Sequence, residues 1–392
     1  VFSSHAIDTD FEIKGLFAGT DQKKIEIIEK IIKTGSKVYL PELGAVLDSE
    51  KNEEIRTRAV LALLTLGDST CIPYYKKAIE DNYWQVRLYG IQGLVKYGEG
   101  ALLADFMKAM KDSYWQVRYY AALGISKYGD ETAVPFLVSS LKDNNDNVKG
   151  QVLWALFSLM WKDEARAAFK KLSDNQVKNI FEAAESPNPE IRIRTLWALE
   201  ASGDTRAVPV FIKLLDDKND EIKIRALWAL EEFKVSEGNQ QIESLLVDES
   251  TEVKLQTIRT LVRLKAAENI SGIINGLSDP DETVRIFSLW ALEKFKDPLS
   301  YPFVVEKLAD SSPRVREYAE KLLTNIHDPV LYPVLQTFID NDTISSDARI
   351  SALTLLGKIG DETVKDFILE KTRDKNPLFR YAAVSALSNV AR

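Results

Sequence analysis

An apolar residue followed by a base returns along this chain at nearly fixed intervals, and that recurrence limits the fold more than any other feature. The pairs are Ile55–Arg56, Val86–Arg87, Val117–Arg118, Val148–Lys149, Ile191–Arg192, Ile222–Lys223, Val253–Lys254, Val284–Arg285 and Val315–Arg316, with looser copies at Ala348–Arg349 and Phe379–Arg380. Eight of the ten intervals are 31 residues; the others are 43 (Val148 to Ile191) and 33 (Val315 to Ala348). A chain of 392 residues would otherwise suggest two or three compact domains. A period of this length points instead to a stack of small repeated units.

The rest of the unit keeps register with the apolar anchor. Eight positions after it stands Leu or Ile in all eleven copies, from Leu63 to Leu387. Four positions after it the residue is usually small: Ala59, Gly90, Ala121, Ala226, Ser288, Ala319, Ala352 and Ala383. Spacings of 4 and 8 place these side chains on one face of a helix, and the small residue lets a neighbouring helix come close. Gly67–Asp68, Gly129–Asp130, Gly203–Asp204 and Gly360–Asp361 read as a helix stop followed by a cap. Pro73, Pro135, Pro209, Pro302 and Pro333 fall in the first turn of a second helix, where a missing N–H costs little. Aspartates recur five residues before the next anchor, as at Asp81, Asp112, Asp143, Asp248, Asp279 and Asp310. Each is placed either to cap the coming helix or to meet a base of the recurring pair.

Segments such as Asp112-Ser-Tyr-Trp-Gln-Val-Arg118, followed by Ala121, Gly129, Asp130 and Pro135, resemble the HEAT-like repeat family in the short 31-residue form of the phycobilin lyases. The resemblance implies an all-α fold, a right-handed α-solenoid of about eleven two-helix repeats, with its second helices lining the concave side. One hairpin cannot bury its own apolar face, so stability comes from stacking. At about 10 Å per repeat, the helix packing distance, the stack is expected to be a curved rod.

The expected organisation is an extension over residues 1–20 and one solenoid over 21–392. Residues 21–50 read as a degenerate capping hairpin, 161–185 as a region holding an inserted helix (about 163–172), and 376–392 as a terminal half-repeat. An uncovered first helix at that end is expected to self-associate. The two extra residues of the 33-residue interval fall in the polar stretch from Asp340 to Asp347, a surface loop.

Composition narrows the chemistry. The net charge is −8, from 51 bases and 59 acids, which disfavours nucleic acid as the partner. Cys71 is the single cysteine, so an intrachain disulfide is excluded. The two histidines, His5 and His327, are followed by Ala and Asp. The HEAT-like hydroxylases carry repeated His–Glu iron ligands, so that activity is not implied here. No phosphate loop or paired-cysteine metal motif occurs, no apolar run reaches membrane-spanning length, and neither catalytic residues, cofactor nor metal is expected. The start at Val1 without Met leans toward an exported protein, otherwise a cytoplasmic one.

Trp154, Trp197, Trp228 and Trp290 all lie six positions after an anchor, and Trp84 and Trp115 two before. Such fixed register is expected from packing between repeats, with an aromatic base-stacking platform as the alternative. The recurring bases are expected to pair internally with the recurring aspartates.

These observations lead to a non-catalytic protein-binding scaffold with protein partners. Tyr74, Lys77, Lys108, Phe136, Lys213 and Phe303 lie off the apolar stripe of the second helices and are the candidate contacts of the concave face. The opposing reading has the aromatics shielding the hairpin seam. The inserted helix is expected to cover an exposed edge or change the curvature of the stack; the alternative, marked by Lys162, Lys170 and Lys171, is a second docking point. The alternatives are a subunit of a bilin-lyase-like enzyme, and a nucleic-acid binder akin to the HEAT-like DNA glycosylases.

Overall fold

The computed structural model describes residues 9–98, 102–235 and 238–390, and among them every regular element is helical. His5 lies outside the described residues. Eleven long helices, from Glu53–Leu66 to Pro377–Val390, carry the anchors and alternate with shorter helices such as Ile72–Ala78, Val134–Ser140 and Tyr301–Glu306. The chain divides into two compact units, residues 1–207 and 208–392, each a stack of these hairpins.

The anchors and the Leu or Ile eight residues on form the core. Ile55, Leu63, Val86, Leu94, Ile222 and Leu230 are fully buried. The small fourth position allows the expected close approach: a Cβ added to Gly90 would lie 2.7 Å from the Cβ of Ala78. Seven positions after the anchor, Gly124 makes room for Phe106, whose ring stacks on Tyr128 at 5.9 Å.

The aspartate before each long helix does not cap it. Its carboxylate accepts the N–H two residues on, as Asp81 does from Tyr83 (2.8 Å), and capping falls to the residue three before the anchor, such as Asn52 or Asn219. The aspartate instead receives the base of the preceding repeat. In the first unit Arg56 meets Asp81 (2.7 Å), Arg87 meets Asp112 (2.5 Å) and Arg118 meets Asp143 (2.6 Å). In the second unit Lys223 meets Asp248 (2.6 Å), Lys254 meets Asp279 (2.7 Å) and Arg285 meets Asp310 (2.9 Å). The Arg87 guanidinium also donates to the carbonyls of Asp81 and Asn82, so one side chain ties the turn before its own helix to the turn before the next long helix. These six bases are therefore internal rungs and not a surface stripe, whereas Arg316 and Arg380 are exposed and donate to backbone carbonyls of the turn before their own helix.

Where the 43-residue interval puts Ser186 in the aspartate's place, the rung is rebuilt locally. Lys149 turns to Asp146 of its own helix (3.3 Å), and the Asn188 amide donates to the second oxygen of that carboxylate (3.1 Å). The added residues form the helix Asp163–Lys170, which buries Ala165 and Phe169, and the helix Asp174–Ala183 opens on a Ser173–Gln176 capping box.

Helix stops come in two kinds. Gly67, Gly129 and Gly360 have negative φ; a Cβ on Gly129 would sit 2.4 Å from the Ile125 carbonyl oxygen, which is why glycine stands there. Asp68, Asp130 and Asp361 then accept the N–H two residues on, as the caps read from sequence. Gly203 is left-handed (φ 61), and at the same place in the next three repeats Lys234, Lys265 and Lys296 take that conformation with φ of 53, 57 and 53.

At the chain's start the helix Thr9–Ala18 packs Leu16 against the following hairpin. In the last helix Leu378, Tyr381 and Val384 are exposed along one side.

Candidate functional site

On each long helix the anchor and the positions 4 and 8 beyond it point into the stack. Positions 2, 6 and 9 then project to the opposite side, because they lie about 200°, 240° and 180° around the helix from the anchor at 100° per residue. In the first unit that side carries Tyr119, Trp154, Phe157 and Trp197, with Tyr120 flanking the buried stripe. Phe157 is the hub: its ring centroid lies 5.5 Å from Trp154, 5.9 Å from Trp161 and 6.2 Å from Trp197. Trp161 is 74% exposed and Trp154 40%. Near the helix starts Trp84 stacks on Tyr114 at 4.9 Å. In the second unit Trp228 is 45% exposed beneath the Arg225 guanidinium, and Phe287 lies under Arg259.

As expected from their register, tryptophans pack between repeats, Trp84 against Tyr114 of the next repeat and Trp197 against Phe157 of the preceding one. Trp197 and Trp290 are half-buried, but the register that repeats them also turns position 6 outward, so Trp154 and Trp228 face solvent. Large exposed aromatics grouped on one face are what an interaction surface presents. Gln151, three positions after its anchor on the same helix as Trp154, is almost fully buried, and its Nε2 has no hydrogen-bond partner.

The residues singled out from sequence are placed differently. Tyr74 is half-buried against Gly44, where an added Cβ would lie 2.3 Å from its ring, so it seals the seam between short helices. Lys77 pairs with Asp48, and Lys108 with Glu80 at 2.6 Å, so neither charge is left uncompensated. Phe136 is half-buried, Phe303 exposed and Lys213 exposed. Tyr74, Lys77, Lys108 and Phe136 belong to the first unit, and Lys213 and Phe303 to the second. In the inserted region Lys162 donates to the Gly129 carbonyl (3.0 Å), while Lys170 and Lys171 are exposed.

The second unit also holds a cavity of about 380 Å³ lined by Glu293, Lys296, Tyr301, His327 and Asp328. Tyr301 donates to Asp328 (3.1 Å) and Tyr318 to Glu293 (3.3 Å). Burial, with Glu293 beside it, pushes the Tyr318 phenol up to about 12, and burial with Asp328 raises Tyr301. Both phenols are donors at neutral pH, and no nucleophile–base pair is formed among these residues. Cys71 is fully buried. Among the described residues no group of acids, histidines and cysteines is placed to hold a metal, and no helix is long and apolar enough to cross a membrane.

Six overlapping stretches, residues 72–157, 103–179, 155–231, 177–261, 239–324 and 270–353, match the family model for HEAT repeats. The chain belongs to the HEAT-repeat family. No curated protein matches it. Among solved structures this HEAT-repeat chain is similar to the karyopherin Kap121p bound to the extreme C-terminus of the protein phosphatase Cdc14p, with 13% identity, 97% of this chain and 49% of that one covered, and a TM-score of 0.54. It is also similar to a chain from work on a phosphorylation switch controlling the interaction between cadherin and beta-catenin, with 14% identity, coverage of 97% and 100%, and a TM-score of 0.50. An engineered protein matches at 16% identity, coverage of 98% and 99%, and a TM-score of 0.46. At these identities the likeness is one of fold, and this chain spans about half of the karyopherin.

Proposed function

We propose that this HEAT-repeat chain is a non-catalytic scaffold that binds protein partners. The reading is carried by the exposed aromatic group around Phe157, a preformed surface on rigid helices whose residues need little ordering when a partner arrives. The two structural neighbours described by cadherin–beta-catenin and karyopherin–phosphatase interactions agree with it. The short-helix residues Tyr74, Lys77, Lys108, Phe136, Lys213 and Phe303, and the lysines 162, 170 and 171, form the secondary contact set. We assign self-association to the exposed side of the last helix at Leu378, Tyr381 and Val384.

The test compares affinity capture by the intact chain with two variants, Trp154→Ala/Trp161→Ala and Tyr74→Ala/Phe136→Ala/Phe303→Ala. A partner lost with the first variant and kept by the second supports the long-helix face; the reverse moves the site to the short helices. We also take the 31-residue repeats as the short form that resembles the phycobilin lyases. A visible absorbance band after incubation with a bilin would replace the scaffold reading with pigment binding.

A further inference from the structure

Trp154 and Trp228 hold the same register position and are almost equally exposed, at 40% and 45%, yet their rings are used differently. In the second unit the chain lays its own cations on the aromatics. The Arg225 guanidinium sits over the Trp228 ring at 5.7 Å, and that of Arg259 over Phe287, on the next long helix, at 4.9 Å. Arg87 over Tyr114 and Arg349 over Phe379 repeat the contact elsewhere, at 5.9 and 5.2 Å. Among the described residues no cation lies over Trp154, Phe157, Trp161 or Trp197.

The cations beside this group are engaged elsewhere. Arg194 precedes Trp197 by three residues, as Arg225 precedes Trp228, but it pairs with Glu190 (2.7 Å) and donates to the Gly150 carbonyl (3.0 Å). Lys162 donates to the Gly129 carbonyl (3.0 Å), and Arg166 pairs with Asp163. Phe157 meets Trp154, Trp161 and Trp197 at 43°, 76° and 47°, so none of the indoles is stacked flat upon it. An aromatic face is the negative side of the ring quadrupole and attracts a cation, most strongly on Trp. Asp130, Glu131, Asp163 and Glu164 are exposed in the two turns that Lys162 joins, just past Trp161. Those carboxylates favour a cationic ligand. They oppose single-stranded nucleic acid, whose bases stack on indoles but whose phosphates would meet them.

We infer, on the reading that this face binds protein partners, that the open indole faces of Trp154 and Trp161 take arginine side chains of a partner segment. The guanidinium is planar and more weakly hydrated than an ammonium, so it stacks on an indole and keeps its donors at the edge. Arg225 over Trp228 is that contact made within this chain. The site is confined to the first unit's aromatic group, because Trp228 and Phe287 already carry a guanidinium.

The experiment measures fluorescence anisotropy of four labelled probes with the intact chain: five repeats of Arg-Gly-Ser, the same peptide with citrulline for arginine, the same with glutamate for arginine, and oligo-dT. The arginine peptide is expected to bind most tightly, and the citrulline peptide, which keeps the planar shape but not the charge, to bind weakly. Trp161→Leu, at a residue 74% exposed, should weaken the arginine peptide about threefold, and Trp154→Leu/Trp161→Leu about tenfold, the sizes of one and two exposed cation–π contacts. Circular dichroism checks that both variants fold. Trp228→Leu should leave the arginine peptide unchanged, although Trp228 is as exposed as Trp154. Equal binding of the arginine and citrulline peptides, tighter binding of oligo-dT, or equal weakening by Trp228→Leu overturns the arginine ligand. If the double variant loses a captured partner but keeps the arginine peptide, the face stands and only its ligand falls. If it loses neither, the aromatic face itself is wrong.

Discussion

Gly93 and Tyr75 share a space so tight that a Cβ on the glycine would lie 2.3 Å from Cδ1 of the ring. The ring cannot move aside. It is fully buried, its hydroxyl donates to the Leu63 carbonyl at 2.7 Å, and it stacks on Tyr97 at 6.1 Å. Burial pushes its phenol far above the usual range, so it stays a donor. Alanine in mid-helix gains up to about 1 kcal/mol over glycine. Overpacking a fixed core costs roughly 1–3 kcal/mol. Gly93→Ala is therefore expected to lower stability in urea unfolding. Gly150→Ala, whose Cβ would meet nothing closer than 3.5 Å, should raise it. Equal stability of Gly93→Ala and the parent would show that the ring has room.

The rungs should separate cleanly from surface ion pairs. Arg87 and Asp112 expose only 14% and 8% of their side chains, and Asp112→Ala leaves the guanidinium with backbone carbonyls alone. Losing one partner of such a pair costs on the order of 3 kcal/mol. The Lys108–Glu80 pair is solvent-exposed, and Glu80→Ala should produce no measurable shift of the unfolding midpoint. Similar midpoints for the two variants would mean that the ladder is screened and adds nothing special.

At Lys265 the backbone is left-handed, a conformation costing non-glycine residues about 1–2 kcal/mol. Glycine removes that strain but loses more freedom on folding, by roughly 0.5–1 kcal/mol. Comparing Lys265→Gly with Lys265→Ala cancels the effect of the lost charge. The glycine variant should be the more stable by about 0.5–1 kcal/mol, read from thermal unfolding. An alanine variant of equal stability would show that the turn relaxes when the side chain changes.

What the sequence made legible follows from periodicity. The long helices, their small fourth positions and the pairing of bases with aspartates 25 residues later all repeat, so Arg56 and Asp81 could be joined before any coordinates. The short-helix contacts could not. Tyr74 and Lys77 meet Gly44 and Asp48 in the first hairpin, where the repeat is too degenerate to carry register. Lys149 turns to Asp146 because the inserted residues remove its aspartate, a local repair that no period encodes. The left-handed lysines carry no such signal, because glycine is the residue that marks a left-handed helix stop in a sequence. The signal for Trp154 was present: at 100° per residue, position 6 already lies away from the buried stripe.

Acid should loosen the stack in a defined direction. Burial works to raise the Glu50 carboxyl, but the N–H groups of Asn52 and Lys51 and the Lys24 ammonium at 2.6 Å outweigh it and hold the group below the ordinary glutamate value. The Thr283 N–H does the same for Asp281, and the Asn188 amide, against burial and with Lys149, for Asp146. A carboxyl with a depressed folded pKa binds its proton more weakly in the folded chain, so the unfolded state takes up more protons as pH falls. The stabilisation is complete above the unfolded value of about 4.3 for Glu and is lost as pH drops through the folded value. Stability measured by urea unfolding should therefore be flat from about pH 7 to 5 and fall below about pH 4. Glu50→Gln should be less stable than the parent at neutral pH, with the gap closing toward about pH 2–3. A gap that stays constant across that range would mean that Glu50 acts through its shape and not its charge.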